Sequence, residues 1–337
     1  MLFALSMIRS VWKERGMFVS VKGIPASGGA AYRQKPLGLR WKHSLRKHWQ
    51  LYLVLAIPVS WLIIFAYIPM YGITMAFQNF TLKKGYFGSD WVGFDNFFRF
   101  FRSNMFPTLL RNTIGISLYS FIAGSACPIL LALMLNEVGH AKYKKTVQMI
   151  SYLPYFISAV LIVSMLRQLF SDRGLVNNLY QAVGLAKAPF FGNPYFYKHL
   201  YVWSGVWSGV GYGTVIYIAA LAKVDIQLYE AAIIDGASKL QKIWHIDLPS
   251  ILPTVTILLI LGISGIMNVG FQKVYLMQNN INIGVSEVIS TYVYKVGLVN
   301  REYSFAAAVS IFNSVVNVIL LVIANTIARK VSETSLW

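Results

Sequence analysis

The sequence is short of charge, short of acid and almost without cysteine. Charged residues make up 12% of it, against about a quarter in a soluble globular domain, so a water-facing domain with a charged surface is excluded. Cys127 is the only cysteine and sits inside an apolar run, so an intrachain disulfide is impossible. No G-x-x-x-x-G-K-[ST] phosphate loop occurs, and the chain cannot hydrolyse ATP by that route. The five histidines (His43, His48, His140, His199 and His245) never fall four apart on one helix, which leaves no metal-ligand pattern. A G-x-S-x-G nucleophile elbow is also missing. Finally, no Asp or Glu falls in the middle third of any long apolar run. Proton- and sodium-coupled carriers place ionisable groups there, so the energy for any transport must come from another chain.

What is present is grease. Hydrophobic residues account for 56% of the chain, aromatics for 15%, and the mean hydropathy is +0.56. Six runs are long enough to cross a bilayer, each needing about 20 residues: Leu51–Phe77, Leu109–Leu135, Val147–Phe170, Leu200–Ala222, Ile251–Met277 and Phe305–Ala328. Pro58, Pro69, Pro128 and Pro154 fall inside them, which neighbouring helices make tolerable. The expected architecture is an all-α membrane protein of six spans. It divides into a basic leader (1–49), a six-span domain (50–330) and a tail (331–337).

The formal net charge of +18 is concentrated. Ten of the 30 Lys and Arg residues precede Gln50, with only Glu14 opposing them. A basic block before the first span retains an N-terminus in the cytoplasm and attracts anionic lipid; nucleic-acid binding is not indicated. The apolar first residues precede the basic ones, the wrong order for a cleaved signal peptide. Residues 1 to about 35 are expected to be a poorly ordered leader.

With the N-terminus inside, the loop carrying Lys142, Lys144 and Lys145 and the tail with Arg329 and Lys330 are also cytoplasmic and basic. The fourth cytoplasmic piece, 223–250, is instead acidic, with Asp225, Glu230, Asp235 and Asp247 against Lys223, Lys239 and Lys242. Topology does not explain it; an interaction surface does. On the other side, segments 89–104 and 193–203 mix aromatics with polar residues, as interfacial helices do. Arg111, Arg167, Lys223 and Lys273 lie at span ends, within reach of water. Gly205, Gly209 and Gly213 recur every four residues and predict close approach of a second helix.

Within the acidic piece, Asp225 can cap a helix over about 226–235, with Glu230 on its exposed face. Gly236 supplies the positive φ at which that helix stops. A second short helix is expected from Ser238 to Trp244, with Pro249 and Pro253 setting the entry to the fifth span. The residues Glu230, Ala231, Ala232, Gly236, Ile246, Leu248 and Pro249, with Asp235 beside the glycine, spell E-A-A-x3-G-x9-I-x-L-P.

This pattern resembles the signature of permease subunits of binding-protein-dependent ABC importers. "WVGFDNF" (91–97), "RNT" (111–113) and "LALMLN" (131–136) are similar to the carbohydrate-uptake permeases, nearest the oligosaccharide branch of bacilli and their relatives. The resemblance runs from about Gln50 to the C-terminus. It implies a type I importer permease fold with a cytoplasmic coupling helix between spans four and five, docking on an ATPase. It also implies a second homologous permease, two ATPase subunits that carry ATP and Mg, and an extracytoplasmic sugar-binding lipoprotein. This chain itself would bind no cofactor and carry no catalysis, and would reside in the bacterial cell membrane with both termini cytoplasmic. Within the same class, another solute such as a polyol phosphate remains open, as does a stand-alone carrier.

A sugar path needs aromatic faces and amide or hydroxyl groups. The later spans offer Tyr212 and Tyr217, then Asn268 and Gln272, then Asn313 and Asn317; Tyr119 lies in the second span. Each amide pair is spaced i,i+4 and would share a helical face. Such amides serve either sugar hydroxyls or interhelical hydrogen bonds.

Overall fold

A computed structural model describes residues 47–331; the expectations for the leader before residue 47 and for the tail lie outside the described residues. Two compact units divide the chain after Ile68. The first contains α1 (Trp49–Leu62), which passes through Pro58 without a stop and continues as a wide π turn, Ile63–Tyr67. Every side chain from Trp49 to Tyr67 is exposed.

The second unit opens with a 3-10 turn, Tyr71–Phe77, and a two-stranded ribbon, β1 (Gln78–Asn79) antiparallel to β2 (Asp90–Trp91), with Gln78 opposite Trp91. Its helices include α2 (Asp95–Arg102), α3 (Met105–Asn136), α4 (Ala141–Tyr152), α5 (Ala159–Leu169), α6 (Pro194–Leu221), α7 (Ile226–Ile234), α8 (Lys239–Ser264), α9 (Phe271–Met277), α10 (Ile289–Tyr294) and α11 (Tyr303–Val331). Among the described residues five helices are long and apolar enough to cross a membrane, and a sixth crossing requires α4 and α5 to count as one bent span.

Three spans depart from their expected form. The third is bent by 98° between α4 and α5. Pro154 sits in the 3-10 turn Leu153–Phe156, and Ser158 restarts the chain by accepting a hydrogen bond from the Leu161 N–H, so the backbone is recapped instead of carried through. The fifth, expected to run to Met277, ends at Ser264; Gly265 caps it and α9 begins only after Gly270. The fourth begins earlier. Asn193 accepts from the Tyr195 N–H and caps the helix start at Pro194, so 193–203 belongs to α6 and is no separate interfacial helix, and Tyr197 and Tyr201 on it are buried.

Segment 89–104 also differs from a helix floating in the interface. Phe100 of α2 is buried among Phe106, Phe305 and Phe312, the nearest ring centroids 5.1 Å apart. Arg99 pairs with Glu302 at 2.6 Å and lies 4.4 Å over the Phe305 ring. Edge-to-face aromatic pairs contribute about 0.5–1.5 kcal/mol each, so α2 is fastened to the start of α11.

The residues of "RNT" have a structural task. Asn112 is buried and donates to the carbonyls of Gly284 (3.0 Å) and Glu287 (3.1 Å), while Thr113 Oγ1 accepts from the Ile289 N–H at 3.1 Å. Glu287 is a buried acid between the fifth and sixth spans, paired with Lys295 at 2.5 Å. An apolar cluster of Tyr217, Leu221, Leu133, Ile251 and Val255 closes the opposite end of α3, α6 and α8.

Candidate functional site

The acidic segment between α6 and α8 folds by local rules. Asp225 accepts a hydrogen bond from the Gln227 N–H and starts α7. Gly236 stands at φ 72°, and the Ala237 N–H returns to the Ala232 carbonyl at 2.9 Å, closing the C-terminus. This is a left-handed helix stop that favours glycine. Ser238 then opens α8 with a reciprocal capping box to Gln241. The expected second short helix is not separate. It is the first turn of α8, which continues to Ser264 through a π turn at Ile243–Asp247. That wide turn directly precedes Pro249, which has no N–H to give and would crowd the carbonyl four residues back.

Glu230, Ala231 and Asp235 are exposed, Ala232 half-buried, Ile246 and Leu248 half-buried, and Pro249 exposed. Around them stands an unusual amount of uncovered apolar surface. Ile233 is 64% exposed, Ile234 85%, Leu240 70% and Trp244 65%. Large apolar side chains left uncovered on both sides of one turn, outside the spans, fit a contact site.

The segment is held to the spans by polar groups that sequence reasoning passed over. Tyr229 of α7 donates to Asp247 Oδ1, and the Asn136 amide at the end of α3 reaches the same oxygen at 3.2 Å and Tyr229 at 3.3 Å. Asp247 is fully buried, and its Oδ2 has no partner among the described residues. Beside it, Lys242 pairs with Glu137 at 3.2 Å, both largely buried. Burial, and then the carboxylate it donates to, push the Tyr229 hydroxyl up to about 12, so it remains a donor at neutral pH. Three elements, α3, α7 and α8, thus meet on one carboxylate. The signal in the sequence was an acid, Asp247, inside the otherwise apolar I-x-L-P turn.

The expected sugar-path residues do not gather in one place. Asn268 Oδ1 accepts from Asn313 at 3.0 Å and from Asn317 at 3.4 Å, and Asn317 in turn accepts from the Met267 N–H at 3.1 Å. These three amides bridge the break after α8 to α11. Gln272 is exposed on α9; because Asn268 lies in the Gly265–Gly270 break, the two share no helical face. Tyr217 is buried in the apolar cluster that closes α3, α6 and α8. Tyr212 is stacked on Tyr155, 4.0 Å between centroids. Tyr119 accepts from Trp203 at 2.8 Å and contacts His199 at 3.1 Å. The glycine pattern on α6 holds at one of its three positions. At Gly213 a Cβ would press on Pro128 of α3 at 3.0 Å, and outside the repeat one at Gly211 would run into the Ser151 carbonyl of α4, whereas one at Gly209 would meet nothing within 4 Å.

Residues 124–333 match the family described as binding-protein-dependent transport system inner membrane component. The chain is 39% identical over 301 residues to protein LplB of Bacillus subtilis, covering 89% of this chain and 95% of that one. It is 41% identical over 288 residues to the polygalacturonan/rhamnogalacturonan transport system permease protein YteP of the same organism, covering 85% and 90%. A solved bacterial ABC transporter involved in the import of the acidic polysaccharide alginate contains a chain that superposes with a TM-score of 0.81 at 36% identity, covering 87% of this chain and 99% of that one. A chain of a bacterial alginate ABC transporter solved in complex with alginate pentasaccharide-bound periplasmic protein gives 0.80 at 36% identity, covering 88% and 99%.

Proposed function

The chain belongs to the binding-protein-dependent transport system inner membrane components, and from that premise we propose that it is one half of the translocation path of an ATP-driven oligosaccharide importer. An extracytoplasmic binding protein delivers the sugar, a second homologous permease completes the path, and two ATPase subunits supply ATP and Mg. Both termini, the Lys144 loop and α7 face the cytoplasm.

The observation that carries this reading is the exposed apolar face of Ile233, Ile234, Leu240 and Trp244 around the Gly236 turn. It sits on a rigid element tied to the spans through Asp247. A cleft of the ATPase that covers this face can push α7, and the push reaches α6 directly through Asp225 and α3 and α8 through the shared carboxylate. Closure of the ATPases on ATP thereby shifts the permease pair between outward- and inward-open states. Relatives named for polygalacturonan, rhamnogalacturonan and alginate transport support a sugar polymer fragment as the cargo.

The test is reconstitution. Proteoliposomes holding this chain alone should show no flux, and those holding the full complex should take up oligosaccharide only with ATP and binding protein. Gly236→Val puts a branched side chain at a positive φ, at a cost of about 1 kcal/mol or more, outside every span. The variant complex should insert and assemble, yet lose sugar-stimulated ATP hydrolysis. Full stimulated hydrolysis and uptake in Gly236→Val would remove α7 as the coupling element. Flux through the chain alone would make it a carrier.

A further inference from the structure

Gly205, Gly209 and Gly213 lie along one face of α6, and that face borders a cavity of about 480 Å3. Gly213 meets Pro128 of α3, but a Cβ at Gly205 would meet only the Lys273 ammonium at 3.3 Å, and one at Gly209 would meet open space. Absent side chains thus create the room. The polar wall consists of Ser120 on α3, Tyr155 at the α4–α5 bend, Ser208 on α6 and Lys273 on α9.

Lys273 was expected to reach for water from a span end. Instead it is folded inward. Its Nζ donates to the Tyr201 carbonyl at 2.7 Å and lies 4.7 Å from the Tyr201 ring centroid. Among the described residues none of the four ion pairs includes it. An ammonium has three donors, and one carbonyl uses one of them. Ser120 Oγ is enclosed without a partner, and Ser208 Oγ spends its proton on the Gly205 carbonyl at 3.1 Å, leaving its lone pairs as acceptors. A half-enclosed cation without a counter-charge is costly unless an anion arrives.

We infer that this cavity receives a uronate unit of the transported oligosaccharide, its carboxylate paired with Lys273 and its hydroxyls meeting Ser208 and Tyr155. The inference rests on the oligosaccharide-import reading and deepens it. One ammonium matches a monoanionic carboxylate; a phosphate dianion is ordinarily met by several cationic or backbone donors. The bare glycine face leaves the sugar ring room beside the charge.

The test uses the full complex in proteoliposomes, with oligogalacturonate, oligomannuronate, a neutral oligosaccharide and a polyol phosphate as probes. Wild type should take up at least one of the two uronates. Lys273→Met should lower that uptake about tenfold, the loss expected for one charge-assisted hydrogen bond, and Lys273→Arg should retain most of it. In a Cys127→Ser background, Lys273→Cys should regain uptake after reaction with aminoethyl methanethiosulfonate, which restores an ammonium, and not after the uncharged methyl reagent. Gly209→Leu should block uptake while the complex still assembles. Rescue by both reagents, or unchanged uptake in Lys273→Met or Gly209→Leu, would overturn the assignment. Uptake of the neutral oligosaccharide and of neither uronate would overturn the uronate while leaving oligosaccharide import intact. Uptake of the polyol phosphate alone would overturn both.

Discussion

The two polar regions of this permease are built in opposite ways. The α7 segment is organised by neighbours in sequence. Asp225 caps two residues on, Ser238 and Gln241 cap each other across three, and Gly236 turns the chain by its own φ of 72°. The region after α8 is organised by partners far away, with Asn268 answering Asn313 and Asn317 some 45 and 49 residues later. A segment that must transmit force keeps its shape whatever the bundle does, because its geometry is local. A segment that lines a path can be remade whenever the bundle moves, because its geometry is borrowed. The α7 segment reaches far in sequence at the Tyr229–Asp247–Asn136 junction and the Lys242–Glu137 pair beside it, and there the two designs meet.

That junction gives the largest expected effect. Asp247→Ala takes the acceptor from the half-buried Tyr229 hydroxyl and leaves the Asn136 amide only the Tyr229 oxygen, at a cost of about 2 kcal/mol. Thermal unfolding of the purified complex should move down by several degrees, and ATP hydrolysis should lose its dependence on sugar-loaded binding protein. Tyr229→Phe should do the same more weakly, since Asn136 still reaches the carboxylate. If Asp247→Ala lowers stability and leaves coupling intact, the α7 segment transmits through Asp225 and α6 alone, and the contrast between the two regions sharpens.

Much of the architecture was legible from the sequence, for reasons these residues make plain. Long apolar runs need no partner to be recognised, and caps act within one turn, so α3, α7 and α11 lie close to where they were expected. Breaks were not legible. Pro154 and Pro128 look alike in sequence, yet α3 runs straight through Pro128 while the chain turns by 98° just past Pro154, where Ser158 stands ready as a new cap. The glycine spacing on α6 was read as helix contact because a four-residue repeat is symmetric in its meaning. It marks small residues, and only the surrounding helices decide whether the space is filled, as at Gly213 against Pro128, or left open, as at Gly209. Glu287 escaped notice because its partner, Lys295, and its enclosing Asn112 come from different elements.

The amide bridge comes next in size. Asn268→Leu and Asn313→Leu should each destabilise the complex by about 1 kcal/mol. If the two amides act on each other, the double variant should cost less than the sum of the singles, a coupling of about 0.6 kcal/mol in a thermal-unfolding cycle. Strict additivity would separate the pair and free Asn268 for a ligand. Positive coupling with unchanged uptake assigns the bridge to holding α11 against the break.

The smallest expected effect on stability belongs to Gln272, and that makes it the cleaner probe of the path. It is exposed on α9, one residue from Lys273, and makes no side-chain hydrogen bond among the described residues. Replacing it with Leu removes no internal contact, so stability should stay within about 0.5 kcal/mol of wild type. Any change in transport then reports on what the amide meets outside this chain. On the path reading it meets a sugar hydroxyl, and loss of one neutral hydrogen bond corresponds to about a fivefold change in the sugar concentration giving half-maximal uptake. The maximal rate of ATP hydrolysis should not move, because α7 and its junction are untouched. A fivefold shift with normal assembly would place the path along the face of α9 that carries Gln272. Unchanged uptake kinetics would leave α9 contributing through Lys273 alone, and the amide would then face lipid headgroups or the second permease.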